Sequence, residues 1–197
     1  MSQKYKTTAP SGQHHWDMEK TESEQELQAT EQTEAISGRH TTNGIPHGST
    51  SLTPHLAVQP AAKAIEFYRD VFGARILDVT RFPGSELIAH AVLDFGSGLL
   101  TLSDPLEAYG LVAPSSDAGH SFSLAVYVPN TDKALAAAEA AHATVREPAM
   151  TFVSGDRFAS IVDPFGVRWS VMTRVVDLSP EESKQRVQEW AAEQSSS

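Results

Sequence analysis

The sequence predicts an α+β fold made of two βαβββ modules. From Ser51 onward a short strand, an amphipathic helix and three strand-like runs follow one another. The same order recurs from Ser121, at an offset of about 70 residues. Glycines separate the runs, at Gly73, Gly84 and Gly96/Gly98.

In the first module Leu52–Val58 reads as a strand. Pro60–Phe72 reads as a helix, because Ala64, Ile65, Tyr68, Val71 and Phe72 recur at helical spacing. Gly73 is placed to end it, since a residue without a Cβ tolerates positive φ. Strands are predicted over Arg75–Phe82, Glu86–Phe95 and Leu99–Ser103.

In the second module Ser121–Val128 is a strand and Thr131–Ala141 a helix. Further strands are expected at Thr144–Arg146, Thr151–Val153, Arg157–Val162 and Val167–Thr173. The repeat matches Val58 with Val128, Lys63-Ala64 with Lys133-Ala134, Ile65 with Leu135, and Phe95-Gly96 with Phe165-Gly166. One residue is then lost at Gly98, so Thr101 falls opposite Ser170. A single such unit leaves bare the sheet face away from its helix. Two units pair into a curved mixed sheet around a cavity, a shape suited to a small molecule.

Residues 1–48 differ in character. They are rich in Glu, Gln, Thr and Ser, with too few apolar side chains to offset the entropy of ordering the chain. The expectation is a disordered acidic tail, then a domain over 49–183 with modules at about 51–112 and 120–176. Residues 184–197 are expected to be a C-terminal helix or tail. Of the 197 residues 40% are hydrophobic, and no apolar run is long enough for a membrane span. The first residues carry no apolar signal region, which leads to an expectation of a cytoplasmic protein. A net charge of −10 without a Lys/Arg cluster argues against a nucleic-acid partner. With no cysteine there are neither disulfides nor thiolate metal sites.

The segments PHLAV, AAKAIEFYRDVFGA, HAVLDFG, GDRFASIVDPFGVRWSVMT and DLSPEE together resemble the vicinal-oxygen-chelate superfamily. That superfamily comprises the glyoxalase, bleomycin-resistance and dioxygenase proteins, and the segments are most similar to its PhnB-like branch. The resemblance covers about residues 51–183 and is specific for fold. It is weak for function, because such proteins include metal-dependent lyases, isomerases and ring-cleaving dioxygenases as well as metal-free proteins that sequester antibiotics. It also implies a homodimer, since family members often complete the cavity with a partner subunit.

The resemblance assigns metal ligands to the first and last strands of each module. Here those positions are Thr53, Thr101, Ser123 and Ser170. All four bear neutral hydroxyls where a divalent ion prefers imidazole or carboxylate. No metal or other cofactor is therefore expected at the usual site. The hydroxyls are candidates to hydrogen-bond a polar ligand, or simply to satisfy neighbouring backbone. His55, two residues after Thr53, shares its strand face, and His90 lies in the third strand. With Asp104 they are candidates for a displaced metal site. Arg157 is a candidate for an ion pair with Asp156 or Asp163, or for an anionic ligand. Trp169, Phe158, Phe152 and Tyr127 are candidates to line an apolar cavity.

The leading expectation is a metal-independent protein that binds a small molecule, sequestering a drug-like or planar compound. One alternative is a lyase, isomerase or dioxygenase that uses a divalent metal at the displaced site. The other is an interaction module that recruits a partner through the acidic tail.

Overall fold

The computed structural model describes residues 34–115 and 119–195. The tail expectation for residues 1–33 lies outside the described residues. The chain divides into two units, Met1–His47 and Gly48–Ser197. In the first unit strands β1 (Thr41–Thr42) and β2 (Ile45–Pro46) pair antiparallel. Asn43 and Gly44 turn between them with φ of 48° and 76°. Asn-Gly is the dipeptide that tolerates two successive positive φ angles, so this local turn forms where the composition predicted none.

The second unit holds the repeat. Its first half contains β3 (His55–Ala57), α1 (Ala61–Phe72), β4 (Arg75–Arg81), β5 (Ile88–Asp94) and β6 (Leu99–Ser103). Its second half contains β7 (Leu124–Tyr127), α2 (Thr131–Ala140), β8 (Thr144–Thr151), β9 (Asp156–Val162) and β10 (Arg168–Arg174). The helix α3 (Pro180–Ser195) closes the chain. Each half makes a four-stranded sheet, in the orders β3-β6-β5-β4 and β7-β10-β9-β8. The first strand of each sheet runs parallel to the last, and the other pairs are antiparallel. The predicted α+β fold of two βαβββ modules is what the chain adopts.

The helices end as the sequence directs. Gly73 takes φ 75°, and α1 closes as the Gly73 N–H donates to the Arg69 carbonyl and the Ala74 N–H to the Tyr68 carbonyl. Asn130 caps α2 by accepting from the Lys133 N–H at 2.9 Å. Ser179 and Glu182 form a reciprocal capping box at the start of α3. Both sheets turn one face to α1 and α2 and bury it in a single core. That core includes Leu56, Leu93 and Leu102 from the first sheet and Val126, Ile161 and Val171 from the second.

Three strand expectations shift. The strand predicted over Leu52–Val58 forms only at His55–Ala57, so Thr53 precedes it. Ser123 likewise lies just before β7. The two runs expected at Thr144–Arg146 and Thr151–Val153 are one strand, β8, which passes through Pro148 with two irregularities in its pairing. A proline is tolerated there because β8 is an edge strand, where a missing N–H removes no ladder bond on the open side.

Candidate functional site

The face of each sheet away from the helices is open, and the two faces differ in chemistry. On the first sheet the register sets His55 beside Thr101 and Ala57 beside Ser103. His55 Nδ1 lies 2.9 Å from Thr101 Oγ1, and Nε2 lies 3.3 Å from Ser103 Oγ. Thr101 donates its single proton to the Pro54 carbonyl at 3.1 Å. Nδ1 must then carry the hydrogen and donate to Thr101, while Nε2 accepts from Ser103. In its neutral form the imidazole is therefore fixed in one tautomer. Partial burial of the ring pulls its pKa below the usual histidine value, and the nearby charge of His90 adds to that effect. The two rings stack with centroids 6.2 Å apart and planes 4° from parallel.

The displaced metal site does not assemble. Asp104 is 3% exposed, and its carboxylate accepts from the Ala61 N–H at 3.1 Å and the Ile88 N–H at 2.7 Å. It ties the start of α1 to the start of β5. Among the described residues no three His, Asp or Glu side chains are grouped to hold an ion. The usual positions fit a metal no better. Thr53 Oγ1 is 2.7 Å from Thr50 Oγ1, and Thr101 is engaged as above. Ser123 is exposed, and Ser170 sits in β10 opposite Ala125 and Ser160. No hydrogen bond links any two of these four hydroxyls among the described residues. Neutral hydroxyls, two of them already hydrogen-bonded elsewhere, are a poor donor set for a divalent transition metal.

The second sheet presents a different surface. Its register sets Tyr127, Met172, Phe158 and Met150 in one row across β7, β10, β9 and β8. These residues point away from the buried row that contains Val126, Val171 and Ala159. Beyond the row Phe152 meets Trp190 of α3 edge to face, with centroids 5.0 Å apart. Met150, Phe152, Phe158, Met172 and Trp190 line a cavity of about 390 Å³, within the usual range for small-molecule sites. Two carboxylates edge it, and both are neutralised. Glu147 pairs with Arg168 at 3.0 Å and Asp156 with Arg174 at 3.0 Å. Asp156 also accepts from Ser154 Oγ at 2.8 Å and from the Tyr127 hydroxyl at 3.3 Å.

Two expected site residues lie elsewhere. Trp169 is 2% exposed and packs in the core, where with Tyr127, Phe95 and Leu124 it lines a separate cavity of about 220 Å³. Its ring packs 4.8 Å from Phe72 and 5.1 Å from Tyr68, and its Nε1–H donates to Asp163 Oδ2 at 2.9 Å. Arg157 pairs with neither Asp156 nor Asp163. It grips Asp132 of α2 through Nε at 3.0 Å and Nη2 at 2.6 Å. That ion pair fastens α2 to β9 and holds the guanidinium. Residues that the sequence reading missed include Met150, Met172 and Trp190. The one available signal was a lone tryptophan in an otherwise polar C-terminal stretch.

These modules and faces are those of a known superfamily. The profile of the Glyoxalase/Bleomycin resistance protein/Dioxygenase superfamily matches residues 44–171, and the chain belongs to it. The uncharacterized protein Mb0911c of Mycobacterium bovis is 32% identical over 136 residues, covering 67% of this chain and 88% of that one. Among solved structures, protein PA1353 from Pseudomonas aeruginosa is 23% identical with a TM-score of 0.53, covering 64% of this chain and 98% of its own. The glyoxalase I of Leishmania major is 16% identical with a TM-score of 0.50, covering 76% of this chain and 100% of its own. At these identities both structures speak for the fold alone.

Proposed function

We propose that this chain binds an apolar or planar small molecule, holding it without a metal ion and without converting it. The observation that carries this reading is the cavity on the open face of the second sheet, walled by Met150, Phe152, Phe158, Met172 and Trp190. Aromatic faces supply large apolar contact, and thioethers adapt to irregular ligand shapes. The hydroxyls at the usual ligand positions support the metal-free part of the reading. The polar face around His55 and His90 offers imidazoles and hydroxyls that are engaged with one another, with no third ligand grouped with them among the described residues.

Titration with Nile red, an uncharged planar dye that brightens in apolar surroundings, tests the reading. Saturable binding is expected, with the dye recovered unchanged by chromatography. Phe158→Ala removes the ring at the centre of the wall and is expected to weaken binding about tenfold. Non-saturable binding, or the same affinity in Phe158→Ala, counts against the proposal. Chemical conversion of the compounds bound in this cavity would redirect it toward an enzyme.

A further inference from the structure

We propose that this cavity selects an uncharged flat ring and that Trp190 closes it from the C-terminal helix, an inference that rests on the small-molecule reading above. The charge preference follows from the rim. Glu147 and Asp156 are the carboxylates at the cavity, and each already has an arginine at 3.0 Å. An incoming cation finds no unpaired carboxylate, and an incoming anion finds arginines already engaged. Either ion would shed water without gaining a counter-charge, whereas an uncharged ring loses little on entry. The remaining wall is aromatic and thioether surface, which favours flat, polarisable partners.

The closing role follows from how α3 is held. None of its residues is buried, and Trp190 itself is 39% exposed. Its contacts with the β8–β9 connection include the Phe152–Trp190 pair and a hydrogen bond from Ser183 Oγ to the Ser154 carbonyl at 3.0 Å. A helix with no buried side chain has little apolar area opposing its release. Trp190 therefore withdraws at low cost to admit a ligand and returns to cover it. A bound ring adds the contact surface that the empty helix lacks.

The test is isothermal titration of the full chain at neutral pH with three tricyclic compounds of similar size. Acridone is uncharged, 9-aminoacridine is a cation and anthracene-9-carboxylate is an anion. Acridone is expected to bind about tenfold or more tighter than either ion. Trp190→Ala should weaken acridone about fivefold or more, and Trp190→Phe should restore most of the loss. Thermal unfolding of Trp190→Ala should match the parent, since no core contact is removed. Equal or tighter binding of either ion overturns the inference while leaving the small-molecule reading intact. So does unchanged acridone affinity in Trp190→Ala. If none of the three compounds binds, the small-molecule reading itself fails and the inference falls with it.

Discussion

The Tyr68 hydroxyl donates to Asp163 Oδ2 at 2.8 Å, and this contact fastens helix α1 of the first module to the β9–β10 turn of the second. Asp163 is 3% exposed and accepts three further hydrogen bonds, from the N–H groups of Phe165 and Val167 and from Trp169 Nε1. Burial raises its pKa, and the four donors oppose that rise. Asp163→Ala leaves four donors unmatched in the core and should cost about 3–5 kcal/mol. Tyr68→Phe removes one donor and should cost about 1–2 kcal/mol. Urea unfolding of the two variants checks the order, and a larger loss in Tyr68→Phe would show that this network is misassigned.

Asp104 serves the backbone in the same way. Asp104→Ala strips the acceptor from the Ala61 and Ile88 N–H groups and should destabilise by about 2–3 kcal/mol. His55→Ala, on the open face, should leave the urea midpoint close to that of the parent. Comparable losses in the two variants would point to a joint role for these residues that the structure does not give them.

His55 should titrate below the usual histidine value of 6.5. The sign follows from linkage: a folded pKa below the unfolded one means that the unfolded chain takes the proton more readily. Stability from this group is therefore complete above about pH 6.5 and is lost as pH falls through the folded value. NMR titration of the ring gives the midpoint. His90→Gln removes the second cause of the shift, so the midpoint should move upward. A downward movement would contradict the assigned coupling.

Gly155 takes φ 90°, and an added Cβ there would lie 3.0 Å from both Leu178 Cδ1 and the Val176 carbonyl. Gly155→Ala meets the strain of a left-handed backbone together with that crowding, and should cost about 1–3 kcal/mol. The displaced segment leads into α3. Hydrogen exchange should accordingly rise across Pro180–Ser195 more than in the sheets, and uniform exchange would argue that α3 is positioned independently of this turn.

The sequence by itself determined the modular plan. Local signals carry it: the stripe of Ala64, Ile65, Tyr68, Val71 and Phe72 makes a helix, Gly73 ends it, and the repeat predicts the second copy of each element. The superfamily was equally legible, because motifs at fixed offsets need no coordinates. Strand ends were less so, since they depend on which neighbour supplies hydrogen bonds. Thr53 and Ser123 fall outside strands for that reason.

Only the tertiary structure decided which of those residues meet. Arg157 lies next in sequence to Asp156, yet its partner is Asp132, because the two are brought together by α2 packing over β9. Trp169 and Met172 lie on one strand but three residues apart, so the pleat sends one into the core and the other to the open face. The apolar row from Tyr127 to Met150 exists only once four strands are in register. Trp190 joins that row from a helix whose own sequence has no apolar stripe to direct it. A cavity is a property of distances between segments, and local periodicity carries no information about those distances until the sheets have paired.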